Sequence, residues 1–236
     1  MEQLQSDMMG YDRAITLFSP DGRLLQVEYA RKTVSQGSAA IGLVGKNCVV
    51  LAADNRLPET EKLIVPDSVE KIFKINSYIA AAMSGMIADG RVLIEKSQLE
   101  AQQHMITYNE PADILLLIKS ISTEMQAFTQ YGGARPYGVS ILYGGFKADK
   151  PVLYMLEPSG IFFQYNAVAI GENSTEINKY LEGNYQLNSD KDTLIKLAIK
   201  AFKASGIKLS PSRFDIVVVD KSGFSRMSLK EIESYL

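Results

Sequence analysis

Apolar residues change their spacing several times along the chain, and each change marks an element. Ala39, Ile41 and Leu43 alternate with small residues, Asn47 supplies a turn, and 48–53 is an unbroken apolar run. Period-two alternation followed by a continuous run predicts a hairpin with a buried second strand. Shorter strands are expected at 63–65, 72–75 and 79–83. Two long helices follow, at 88–105 and 111–129. In the second, Pro111 suits a first helical turn and Asp113 its positive end. The stretch QYGGARPYG at 130–138 is too rich in glycine for a helix. Strands return at 139–143, 152–156, 161–163 and 167–170. Helices are predicted at 174–182 and 190–205, a buried strand at 214–219 and a short helix at 229–235.

Ahead of these elements, Ser19-Pro20-Asp21-Gly22 forms a turn cluster that can start a helix. Leu24, Val27, Arg31 and Val34 then fall at helical spacing, with Leu25 and Tyr29 alongside, and Gly37 is a plausible stop. The apolar stripe of this helix can pack on its own subunit or on a neighbour. Strands, two helices, strands, two helices and a strand is the order of a layered α/β fold, with helices covering both outer faces of stacked sheets. No linker or internal repeat divides the chain, so 1–236 reads as one domain. Within it, 1–10 is a polar flexible tail, 11–37 an N-terminal segment with its helix, and 38–236 the sandwich.

Composition narrows the functional classes. With 46% apolar residues among 236, the chain can bury a sizeable core. A net charge of -2 without a basic block argues against nucleic-acid binding. Cys48 is the only cysteine, so an intrachain disulfide is excluded. Its place in a buried strand makes it a small hydrophobe and not a nucleophile. MEQLQSDMMG lacks the basic start and apolar run of a signal peptide. Stretches such as 114–118 are too short to span a bilayer, and a soluble cytoplasmic protein is expected. His104, the single histidine, excludes a multi-histidine metal site and reads as an ordinary helix residue. No phosphate-binding loop, H-E-x-x-H or C-x-x-C is present, so neither cofactor nor metal is expected. Asn173-Ser174-Thr175 matches a glycosylation pattern by coincidence.

Several segments together resemble the α-type subunits of the proteasome, in their archaeal form. YDRAITLFSPDGRLLQVEYA at 11–30 and QYGGARPYGVS at 130–140 are the long, specific ones. GSAAIG at 37–42, LAADNR at 51–56, SVEKIFKI at 68–75, SGMIADGR at 84–91 and AIG at 169–171 complete the set. The resemblance implies the four-layer αββα sandwich of N-terminal-nucleophile hydrolases. It also implies heptameric α rings capping rings of proteolytic β subunits.

By the same resemblance, this chain is a gate and docking subunit, not the cutter. Tyr11, Asp12, Pro20 and Tyr29 match a cluster that stabilises the open gate, and residues 1–10 lie at the pore. Lys71 matches a pocket lysine that pairs with the C-terminal carboxylate of an ATPase activator whose tail reads hydrophobic–Tyr–any residue. Gly37 and Met86 match the walls of that pocket, and many members carry leucine in place of Met86. The loop at 130–138 is expected to position the N-terminal segment or a neighbouring subunit. The alternative is an active hydrolase with Ser38 unmasked by processing. Ser38 aligns with the β-subunit threonine, whose free amine serves as base. Asp54 matches a family site aspartate. An ungapped match puts Asp67 where β subunits carry a catalytic lysine, and an acidic residue there would not activate a nucleophile.

Overall fold

The computed structural model describes residues 16–56, 63–65, 69–207, 210 and 213–236. Strand β1 (Ala40–Val44) and β2 (Cys48–Asp54) form the expected hairpin, pairing Ala40 with Ala53 and Val44 with Val49. They lie in a five-stranded antiparallel sheet of order β10-β9-β2-β1-β8, where β8 is Ala167–Ile170, β9 Phe214–Asp220 and β10 Gly223–Arg226. The second five-stranded sheet runs β3-β4-β5-β6-β7. Its strands are β3 (Ile72–Asn76), β4 (Ile79–Gly85), β5 (Val139–Lys147), β6 (Lys150–Leu156) and β7 (Phe162–Tyr165).

The sheets face each other through one set of alternating residues. Val49, Leu51 and Ala53 of β2 meet Ala80 and Ala82 of β4 and Leu142 of β5 in the central layer. The other set on β2, Cys48, Val50 and Ala52, faces outward onto helices. Both faces are therefore dry, which is why this strand reads as a continuous apolar run. Close approach of the sheets needs small residues. A Cβ on Gly144 would lie 2.7 Å from Val49 Cγ1.

Helices α2 (Ile87–Tyr108) and α3 (Ile114–Phe128) cover the second sheet, burying Leu93, Ile94, Ile118 and Ile121 against Met83, Ile141 and Tyr143. Tyr143 is wholly buried, and its hydroxyl is satisfied by Ser97 Oγ at 2.8 Å. Helices α4 (Ser174–Asn184), α5 (Lys191–Ala204) and α6 (Leu229–Glu233) cover the first sheet with Ile177, Leu194, Phe202 and Ile232. The arrangement is the expected four-layer αββα sandwich, confirming the fold class. Helix α1 (Leu25–Gln36) buries Leu25, Val27, Ala30 and Val34 and meets β4 and β5. Its apolar stripe is thus used within its own chain. Among the described residues no helix is long and apolar enough to cross a membrane.

Three local expectations are corrected. Residues 63–65 form a turn with Leu63 98% exposed, not a strand, because three apolar residues supply no pairing edge. Pro111 precedes α3 instead of opening it. Asp113 is the N-cap, accepting from Leu115 N at 2.8 Å and Leu116 N at 3.1 Å. Strand β10 is additional to the expected elements, since GFSR carries one large apolar residue and no alternation.

The two-sided burial of β2 sets a stability prediction. Leu51→Ala should cost about 2–5 kcal/mol in urea unfolding. Leu99→Ala, on the exposed face of α2, should stay within about 0.5 kcal/mol.

Candidate functional site

One end of the sandwich gathers the polar residues. Strand β1 begins there, β2 and β4 end there, and α1 hands the chain to β1 through Gly37 and Ser38. Gly37 ends α1 in an extended conformation (φ -72, ψ 149), not the left-handed one expected of a glycine stop. Its glycine is required by proximity instead. A Cβ would lie 2.3 Å from Gly85 N and 2.6 Å from Ser84 Oγ. Ser84 is buried and donates to Ser38 O at 3.0 Å and Val34 O at 3.3 Å. Glu172 N donates to Gly37 O at 2.7 Å, and Asp54 N to Ala39 O at 2.9 Å. Residues 37–39 are therefore held on every side.

Lys71 lies just before β3 and is only 6% exposed. Its ammonium donates to Ser38 O at 2.7 Å and to Ser38 Oγ. Burial pulls its pKa down to about 8; the charge of Asp54 raises it and that of Arg56 lowers it further. Asp54 is fully buried and accepts both arms of Arg213, Nε at 2.6 Å and Nη2 at 2.7 Å. Arg56 is turned outward to Glu172 at 2.8 Å.

The flanks of Lys71 are fixed from the other sheet. Arg226 of β10 bonds Glu70 Oε1 at 2.7 Å and the carbonyl of Ile72, with Asp215 Oδ1 3.3 Å from its Nε. Burial raises Asp215 to a pKa of about 6; Arg226 works against that rise.

Met86 stands beside Gly85, 40% exposed, at the start of α2. Its sulfur lies 3.2 Å from Arg135 Nη2. Arg135 comes from the glycine-rich loop and grips Asp89 with both arms, at 2.6 Å and 2.7 Å. Asp89 also accepts from Gly138 N at 2.8 Å. Against the cost of its burial, Arg135 and this N–H hold the Asp89 carboxyl below its usual range. The loop thus braces Met86 and the first turn of α2.

Gly37, Lys71 and Met86 are brought together: Lys71 bonds Ser38, Ser38 follows Gly37, and Gly37 abuts Gly85 beside Met86. Of the gate cluster, Pro20 lies in the predicted turn, closed by Gly22 N to Ser19 O at 2.8 Å. Tyr29 is 46% exposed on α1. Tyr11 and Asp12 lie outside the described residues, as do 1–10. Cys48 is buried, and burial pushes its thiol up, as expected of a hydrophobe. His104 packs against Tyr108 with ring centroids 4.7 Å apart and planes tilted by 48°, an ordinary helix contact. Among the described residues no group of three or more metal-ligating side chains comes together.

Asp67 lies outside the described residues, and the side chain that the fold brings to Ser38 is Lys71. An ungapped match does not reveal this, because the approach of Lys71 to Ser38 is a tertiary contact across 33 positions. A serine hydroxyl beside a lysine has the makings of a nucleophile and base. Ser38 nitrogen, however, is a peptide amide joined to Gly37. Ser84, Arg135, Arg213 and Arg226 are site residues that the sequence reading missed. Ser84, inside SGMIADGR, and Arg135, inside QYGGARPYGVS, lay in segments that carried a sequence signal, whereas Arg213 and Arg226 did not.

Comparison with known proteins gives a match to the proteasome subunit family over residues 34–219, and to the N-terminal signature of its A-type subunits over 11–32. The proteasome alpha subunit of Pyrococcus abyssi is 47% identical over 230 residues, covering 96% of this chain and 87% of that protein. The protein of the same name from Methanopyrus kandleri is 42% identical, with 98% and 93% covered. That of Methanoculleus marisnigri is 40% identical, with 97% and 95% covered.

The Asp215 environment yields a pH prediction. The folded carboxyl titrates near 6 while the unfolded one titrates near 3.8, so the folded state holds the extra proton between these values. The contribution of Asp215 to stability is therefore full below about pH 4 and lost as pH rises to about 6. Thermal unfolding across pH 4–7 should show a shallower pH dependence for Asp215→Asn.

Proposed function

Because this chain belongs to the proteasome subunit family, and by its N-terminal signature to the α class, we propose that it forms the heptameric outer ring of the core, gates substrate entry and docks activator tails. As a proteasome α subunit it is a non-catalytic component of a protein-degrading assembly. Its proposed partners are other α subunits, the β subunits that cut, and an ATPase activator ending hydrophobic–Tyr–any residue.

The observation that carries the docking reading is the buried Lys71 ammonium bonded to Ser38, the residue that follows Gly37, which in turn abuts Gly85 beside Met86. Lys71 has three N–H donors and gives two to Ser38, leaving one for a terminal carboxylate. Carboxylate capture is a recurrent mode of tail recognition. Asp54, the carboxylate whose charge supports Lys71, is already chelated by Arg213. Met86 offers an apolar, adaptable wall for the tail. The gate reading draws on Pro20 and Tyr29, both exposed near the N-terminal segment. There a proline-fixed turn and an aromatic ring carrying a hydroxyl can hold a chain in one of two positions.

The alternative, an active hydrolase at Ser38, is favoured by the Lys71 contact. Against it stands the missing amine. Freeing it would remove 1–37, including α1, whose buried face is part of the fold. The intact mass of the chain from its assembled complex should be full length, allowing for the initiator methionine. A mass short by residues 1–37 would establish the hydrolase reading instead.

In the assembled particle, Lys71→Ala should abolish activator-stimulated peptide hydrolysis. Stimulation of the wild type should weaken as pH rises through about 8, where the ammonium loses its proton. Deleting residues 1–10 should speed peptide entry. Unchanged rates in the two variants would remove the docking and gating readings respectively.

A further inference from the structure

The group an incoming carboxylate meets first is not the lysine. Lys71 is 6% exposed, whereas Ser38 and Gly37 are half-buried and Met86 is 40% exposed. Serine and lysine are also joined in a defined sense. The ammonium donates and Ser38 Oγ accepts, so the lone pair facing Lys71 is occupied and the hydroxyl proton is left over. Ser38 Oγ donates to no partner among the described residues. Rotation of Ser38 as a whole is blocked, because its carbonyl is pinned by Lys71 at 2.7 Å and Ser84 at 3.0 Å. Its neighbours are fixed as well, through Gly37 O to Glu172 N at 2.7 Å and Ala39 O to Asp54 N at 2.9 Å.

We propose that Ser38 is itself a ligand of the docked carboxylate: its hydroxyl donates to one carboxylate oxygen while Lys71, behind it, donates to Ser38 and supplies the positive charge. This assignment rests on the docking reading above and adds a recognition residue to it. The chain Lys71–Ser38–carboxylate polarises in one direction, since a hydroxyl that accepts from an ammonium is a better donor. The arrangement suits the terminal carboxylate of a peptide and discriminates against an amide. A terminal amide presents N–H groups and lacks the charge that the ammonium complements.

The test uses the assembled core particle and two peptides of one sequence ending hydrophobic–Tyr–any residue, one with a free carboxylate and one amidated. The readout is the ratio of their affinities, which a general loosening of the fold would not change selectively. Ser38→Ala should reduce the acid-to-amide ratio about tenfold, the loss of one hydrogen bond to a charged group. Ser38→Cys, a near-isostere with a weak donor, should lose most of the ratio too, and reads the same effect should the alanine variant fail to assemble. Ser38→Thr should retain it. Should Lys71→Ala abolish the ratio while Ser38→Ala and Ser38→Cys leave it intact, docking stands and the role of Ser38 is overturned. An unchanged ratio in Lys71→Ala would instead overturn the docking reading itself.

Discussion

Two sheets meet here through faces made of small and branched apolar residues, and that contact governs where polar groups can sit. Ala53, Ala80 and Ala82 lie in the contact, and Gly144 leaves room for Val49. Among the described residues the layer between the sheets is lined by apolar side chains, where a charge would be costly. Polar side chains are therefore kept out of the layer between the sheets, and those of the inner strands sit at strand ends or, like Tyr143, on the helix-facing side. At the end where β1 begins, Ser38, Asp54, Lys71 and Ser84 collect, each with a partner close at hand. The site follows from the sandwich: close packing elsewhere makes its rim the place where buried polar groups converge.

Each of these groups is fixed by a residue from a different element. Arg213, preceding β9, satisfies Asp54, Arg226 of β10 holds both neighbours of Lys71, and Ser84 at the end of β4 ties α1 to β1. The glycine-rich loop reaches Met86 through Arg135 and Asp89. Gly37 and Gly85 allow the backbones of α1 and β4 to touch, which brings the N-terminal helix against the same rim. A shift of α1 would therefore be felt at Ser38, just past its last turn.

Much of this fold was legible in the sequence because its core is periodic. The strand pairs, the paired helices and their order all follow from apolar spacing, and Asp190 caps α5 at the position where that helix was expected to begin. What escaped was set by single contacts. Strand β10 has almost no apolar pattern, and it forms because β9 offers an edge to pair with. Pro111 looks like a helix start, but the side chain of Asp113 takes the capping role. Gly37 was legible as a stop but not for its reason, since contact with Gly85 is a tertiary matter. The pairing of Lys71 with Ser38 spans 33 positions, and residue counting points to Asp67 instead. Gly37, Lys71 and Met86 were singled out by family resemblance. Pattern alone leaves Lys71 a surface lysine, because a lysine before a strand carries no mark of burial.

The burial of Lys71 is the feature that most needs a reason. An ammonium inside a protein is costly unless a carboxylate compensates it. Here the carboxylate whose charge supports it, Asp54, is already gripped by an arginine with both of its arms. Lys71 is left with a carbonyl and a hydroxyl, which are acceptors without charge. Its depressed pKa registers that deficit, yet a value of about 8 leaves it mostly protonated at neutral pH. A structural lysine in this position would gain by being an uncharged residue of similar shape. Keeping the charge is sensible if a compensating anion arrives from outside. A terminal carboxylate would complete the cluster, relieve the burial cost and raise the lysine pKa again, so that docking near pH 8 should take up a proton.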